Sequence, residues 1–196
     1  MLKIGITGGI GSGKTTVCKV FETLGIPVFY ADTVAKTIMV EDPQLIDGVK
    51  KAFGSQSYFE DGKLNNKHIA GIVFSDPLEL EKLNKMVHPA VFRAFDKWLE
   101  VQNPNVPYIL KEAALLYESE SYKMCDQSLL VIAPHQVKLN RVIQRDGVTA
   151  DQVTARMDKQ FSDEQKIEMA DHILYNNESL SVISQVMKLH EQFLKH

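Results

Sequence analysis

Residues 5–16 read GITGGIGSGKTT, and this stretch decides how the rest of the chain is understood. Gly8, Gly13, Lys14 and Thr15 fit the spacing G-x-x-x-x-G-K-[ST]. The residues before it, LKIGIT (2–7), read as a strand. Those after it, 14–24, carry Val17, Val20, Phe21 and Leu24 at helical spacing, with Gly25 and Pro27 as a stop. A loop between a strand and a helix is where backbone amides and a helix N-terminus can converge on an anion, and glycine lets them approach without a Cβ clash. A turn that served only close helix–strand packing would not need the Lys-Thr pair. The stretch therefore predicts a nucleoside triphosphate ligand, with Lys14 on its β- and γ-phosphates and the Thr15 hydroxyl on Mg²⁺.

Working outward, short β-rich runs alternate with helical patterns, which predicts an α/β fold with a parallel sheet covered on both faces. The further strands are IPVFYA (26–31), part of YILKEAALL (108–116), SLLVIA (128–133) and HILYN (172–176). A last helix carries Val182, Ile183, Val186, Leu189 and Phe193 as one stripe. The gap between the second and third strands is too long for an ordinary crossover, so an insertion is expected at 33–100. It reads as mostly helical, punctuated at Asp42-Pro43, Asp61-Gly62, Asp76-Pro77 and His88-Pro89. A second helical excursion, 135–168, is polar and arginine-bearing and contains the breaker RDGVTAD (145–151), a pattern suited to a mobile flap.

Bulk composition narrows the class. The chain has 196 residues, 44% of them hydrophobic, enough for one sizeable core with a subdomain. Its formal charge of −3 supplies no general field for nucleic acid or an anionic membrane, so a polyanionic ligand must be met by local cations. Neither a signal peptide nor a membrane-spanning run is written, and Cys18 and Cys125 fit neither a disulfide framework nor a zinc spacing. Both cysteines read as buried small hydrophobes, and the expected setting is the cytoplasm.

Phosphate loops serve kinases, switches and motors. A Ras-type switch would show Asp-x-x-Gly and Asn-Lys-x-Asp, and a motor ATPase an apolar strand ending in Asp; here the third strand ends in Glu112. Elimination favours a kinase. Phosphoryl transfer needs a carboxylate to orient the attacking hydroxyl, and Asp32 lies just past the second strand, at the strand end where α/β sheets bind ligands. The same position would let Asp32 cap the helix beginning TVAKTIM. Arg141 and Arg145, four apart, share a helical face and with Arg156 could clamp phosphates or stack on a purine; alternatively they pair with Asp146 or Asp151 on a solvated face. His88 before Pro89 reads as a structural or acceptor-binding residue.

With these residues assembled, the chain resembles the dephospho-CoA kinase family from about residue 3 to 190. The first loop matches beyond the generic pattern. YADTVAK (30–36) is similar to the family's Asp-Ala-Asp-x-x-x-Arg, HPAV (88–91) to its His-Pro segment, and LLYE (115–118) to the end of its Pro-Leu-Leu-[Phe/Tyr]-Glu. QVKLNRVIQRD (136–146) resembles its arginine-bearing lid, followed by the Arg-x-x-x-Gln of Arg156 and Gln160; ADHILYN (170–176) resembles its last strand. Tyr30 stands where the family has its first aspartate, Lys36 for its arginine, Glu112 for an aspartate and Ala114 for the proline. Lys36 keeps the charge without the bidentate fork, and Glu112 keeps a carboxylate with a longer reach.

The resemblance implies five parallel strands of the P-loop nucleotide-kinase type. A nucleotide-binding core would be built from 1–32, 101–134 and 169–196, with a helical substrate domain at 33–100 and a lid at 135–168. It implies phosphorylation of the ribose 3′-hydroxyl of dephospho-CoA by ATP with Mg²⁺. Asp32, Lys14 and Arg141 would be catalytic. Gly11, Ser12, Gly13, Lys14, Thr15, Thr16, Arg145 and Asn176 would hold ATP, with Asn176 near the adenine. Asp32, Lys36, His88, Glu118 and Arg156 would hold the acceptor, and Thr15 and Glu112 the metal. Two other functions stay open at this point: a kinase of a different small molecule, and a regulatory protein that hydrolyses ATP slowly.

Overall fold

The computed structural model describes residues 1–195. Two compact units are present: one comprises Met1–Tyr30 and the chain from Gln102 onward, the other Ala31–Val101. The first holds a parallel sheet of β1 (Leu2–Thr7), β2 (Val28–Tyr30), β3 (Tyr108–Glu112), β4 (Gln127–Ile132) and β5 (His172–Tyr175), in the order β2-β3-β1-β4-β5. The middle strands are buried on both faces; Ile4, Ile6, Tyr108, Leu110, Leu129 and Val131 have almost no exposed surface. That is why they read as apolar runs. All pairings are parallel, with Ile6 opposite Glu112 on one side and Leu129 on the other. The chain leaves β1 for one side of the sheet and returns to its other side through β4, so the crevice at the carboxyl end of β1 is the topological switch point.

Helix α1 (Lys14–Thr23) packs Val17, Cys18 and Phe21 into this core and stops before Gly25, whose φ of +79° suits glycine. β2 is shorter than IPVFYA suggested: Ile26 is buried, but the ladder spans three residues. Between β4 and β5 lie α6 (His135–Asp146), α7 (Ala150–Met157) and α8 (Asp163–Met169), and after β5 comes α9 (Val182–Phe193). The breaker at 145–151 ends α6 with Gly147 at φ +65° and starts α7 with a Thr149–Gln152 capping box.

The second unit is helical: α2 (Ala31–Glu41), α3 (Pro43–Phe53), α4 (Asn66–Val73) and α5 (Pro77–Glu100). Its own core gathers Met39, Leu45, Val49, Phe53, Ile69, Val73 and Ala90. Asp42-Pro43 and Asp76-Pro77 are helix starts: each aspartate accepts from an amide of the first turn, Leu45 at 3.1 Å and Leu78 at 2.8 Å, and each proline stands where its missing N–H costs nothing. Asp61-Gly62 is a tight turn closed by an isolated Tyr58–Leu64 bridge. His88-Pro89 corrects the sequence reading: α5 runs straight through it. Pro89 removes one backbone donor at a cost of ~3 kcal/mol in a helix interior. Burial of Ala90, Val91 and Phe95 just beyond it, on the order of 1.5–3 kcal/mol for each large apolar side chain, outweighs that cost.

Candidate active site

The loop between β1 and α1 owes its shape to three glycines. Gly8, Gly11 and Gly13 have φ of +154°, +80° and +95°, of which the last two are left-handed. A Cβ would collide with the Val131 carbonyl at Gly8, with the Lys138 carbonyl at Gly11, and with the Asn176 side-chain amide at Gly13. The loop is thus pressed against the end of β4, the first turn of α6 and the residue after β5. Lys14, the first residue of α1, is buried and folds back so that Nζ donates to the Gly8 carbonyl at 2.9 Å. Thr15 and Thr16 stand exposed on the first turn of α1.

Asn176 clasps the loop from the β5 side. Its amide donates to the Ser12 carbonyl at 2.9 Å, while its backbone N–H donates to Ile132 at the end of β4 at 2.7 Å. Arg141 reaches the same point from α6, with long contacts of 3.5 Å to the Gly11 carbonyl and to the Asn176 side-chain oxygen. Lys14, Arg141 and Asn176, distant in sequence, therefore meet on one loop.

Glu112 ends β3, buried, opposite Ile6 of β1 and Tyr30 of β2. Its charge is felt in α1: burial pushes the Cys18 thiol far above its usual range, and Glu112 raises it further. Cys125 is partly buried rather than fully so, its thiol pushed up to about 11 by burial, and both cysteines are unpaired. No cluster of three or more His, Cys, Asp or Glu side chains able to hold a metal occurs among the described residues. The Thr15 hydroxyl and the Glu112 carboxylate offer hard oxygens of the kind Mg²⁺ takes when most of its shell is phosphate and water.

The other two arginines are elsewhere. Arg145 and Arg156 converge on Asp146, at 2.7 Å and 2.9 Å, on an exposed surface. The Arg145 guanidinium holds the Asp146 carboxyl below its ordinary value. Both arginines thus make a solvated surface pairing with Asp146. Glu118 is turned inward: one oxygen accepts the Phe161 N–H at 2.8 Å and lies 3.1 Å from the fully buried Lys166. In the helical unit, Asp32 and Lys36 are exposed one turn apart on α2. Asp32 lies in the first turn rather than at the cap, since α2 already begins at Ala31. His88 is half-buried beside the Phe92 ring, and burial lowers its pKa.

Sequence reasoning gave no role to Lys138 and Gln160. Lys138, in a polar helix, reads as a surface lysine, yet it is 7% exposed, ion-paired with Asp163 at 2.6 Å, and lies against Gly9. Gln160 was visible as the end of the Arg-x-x-x-Gln pattern, without a partner.

A parallel sheet of order 2-3-1-4-5 with this loop at the end of its central strand defines a P-loop kinase fold. The family model for dephospho-CoA kinase matches residues 2–181, and the chain belongs to that family. A curated dephospho-CoA kinase from Salinibacter ruber is 42% identical over 182 residues, 92% of each chain. A crystal structure from Thermus thermophilus superposes with a TM-score of 0.87 at 32% identity, covering 98% of this chain and 97% of that one. The dephospho-CoA kinase of Campylobacter jejuni gives 0.73 at 23% identity over the same shares, a likeness of fold.

Proposed function

We propose that this chain transfers the γ-phosphoryl group of ATP to the ribose 3′-hydroxyl of dephospho-CoA, giving CoA and ADP, the last step of CoA synthesis. The observation that carries this reading is the family match across residues 2–181, loop and lid segment included. The amides of residues 11–16 and the Lys14 ammonium bind the triphosphate, and Asn176 and Arg141 keep the loop in shape. A bound Mg²⁺, held through Thr15 and Glu112, would neutralise charge on the β- and γ-phosphates.

Asp32 aligns the 3′-hydroxyl and accepts its proton as the oxygen attacks phosphorus. The residues 33–100 serve as the acceptor domain, where Lys36 and His88 meet dephospho-CoA, and 135–168 as the lid. Arg141, the lid arginine that touches the phosphate loop, stabilises charge on the transferring group. Arg145 and Arg156 reach ligand by exchanging Asp146 for phosphate, and Glu118 acts on the acceptor through the lid it anchors. No helix among the described residues is long and apolar enough to cross a membrane. We place the reaction in the cytoplasm, whose reducing setting suits unpaired cysteines.

Release of ADP with dephospho-CoA, compared with adenosine, uridine and AMP and followed by mass spectrometry of the product, tests the assignment. One added phosphoryl group on dephospho-CoA alone is expected. A preference for a nucleoside or nucleotide, or ATP hydrolysis with no phosphorylated acceptor, overturns it.

A further inference from the structure

Outside the groups already given roles, one side chain joins the phosphate loop to the segment that follows α7. Gln160 accepts the Ile10 N–H at 2.9 Å through Oε1 and donates through Nε2 to the Ala114 carbonyl at 3.3 Å. Thr7, the last residue of β1, reaches the same carbonyl at 3.4 Å. The amide of Gln160 therefore spans the loop after β1 and the turn after β3, using both of its functions. Its own backbone is held: the next residue, Phe161, donates to Glu118, which also pairs with buried Lys166. Lys138 and Asp163 tie the same segment to α6 next to Gly9.

From this geometry we propose that Gln160 is a positioning residue for ATP, fixing the entry of the phosphate loop before nucleotide arrives. Ile10 immediately precedes Gly11, where the backbone turns left-handed at φ +80°. Committing the Ile10 N–H to Gln160 fixes the Gly9–Ile10 peptide plane one residue before that reversal, and so narrows the directions open to the amides that follow. A loop shaped in advance does not have to be ordered by the ligand, so the ordering entropy is not subtracted from ATP affinity. A neutral amide suits the place, because it both accepts and donates without setting a fixed charge beside a triphosphate. Residue 114 contributes through its backbone carbonyl, which any residue there supplies.

The inference rests on the phosphate loop binding ATP but not on the identity of the acceptor. It is tested with Gln160→Ala and the similarly sized Gln160→Met. Calorimetry gives Mg·ATP affinity, steady-state kinetics gives the KM and kcat terms, and hydrogen exchange follows the Ile10 amide. Losing two hydrogen bonds of ordinary strength should weaken ATP binding and raise KM for ATP about tenfold, with kcat and KM for dephospho-CoA within about twofold. The Ile10 amide should be protected in the nucleotide-free parent and exchange faster in both variants. A role confined to stability would lower the melting temperature and leave ATP affinity of the folded protein alone. ATP affinity within about twofold of the parent in either folded variant overturns the proposal. So does an Ile10 amide in the parent that exchanges at the rate of an open loop, a measurement that decides the matter even if neither variant folds. Failure of the parent to phosphorylate dephospho-CoA while Gln160 still governs ATP affinity would overturn the functional reading and leave this one standing.

Discussion

Gly13 concentrates two demands on one residue. Its φ of +95° is a region where an L side chain costs ~1–2 kcal/mol, and the Asn176 amide fills the place a Cβ would take. Gly13→Ala should therefore displace Asn176 from the Ser12 carbonyl, lowering stability by about 2 kcal/mol or more and abolishing tight ATP binding, both readable by thermal melts with and without nucleotide. Asp32→Asn keeps size and removes the base: kcat should fall by about 10²–10⁴ while ATP affinity from calorimetry stays near that of the parent, and near-normal turnover would remove Asp32 from the chemistry. His88 gives a pH effect. Burial holds its folded pKa below the ordinary 6.5, so as pH falls the unfolded chain takes up the proton first. Its contribution to stability is complete above about pH 6.5 and is lost as pH falls from there towards the folded value. His88→Gln should flatten the melting temperature across that window; an unchanged slope would show that another group titrates there. The glycines were legible because the motif demands them, whereas the collision at Gly13 was not, since Asn176 is 163 residues away in sequence.

Elements were legible where a local pattern and its punctuation agreed. β1, the loop and α1 follow from one β-rich run, one motif and one apolar stripe, and the Asp-Pro pairs mark true helix starts. Proline weakens a helix interior, so Pro89 predicts a break, but packing of the second unit's core keeps α5 whole. The polar, breaker-containing sequence of 135–168 predicts a flap. Its α6 face and α8 end are pinned by Val142, by the Lys138–Asp163 pair and by buried Lys166, while α7 is tied to α6 through Arg156 and Asp146. Motion should then concentrate at 147–158. Asp146→Asn, which weakens both arginine contacts, should raise hydrogen exchange in that stretch at least severalfold and leave 160–168 unchanged; an equal rise in both would mean the segment opens as one piece.

At the scale of the whole molecule, ATP should behave as a ligand of the folded state alone. A concentration about 100 times its dissociation constant should add about 2.7 kcal/mol, visible as a higher melting temperature, and Lys14→Ala should erase the rise. What the sequence determined by itself is whatever is encoded between near neighbours: the β-rich run of β1, the glycine and lysine spacing of the loop, the stripe of α1 and the strand–helix alternation that predicts a parallel sheet. These follow from backbone sterics and periodicity, which act over a few residues. Only the tertiary structure decided that Asn176 closes the loop, that Lys138 is an inward lysine and that Gln160 spans Ile10 and Ala114. A hydrogen bond or ion pair between distant positions has no local signature. It comes into being when burial of the sheet brings strand ends together at the switch point, where the partners must satisfy one another because water is excluded.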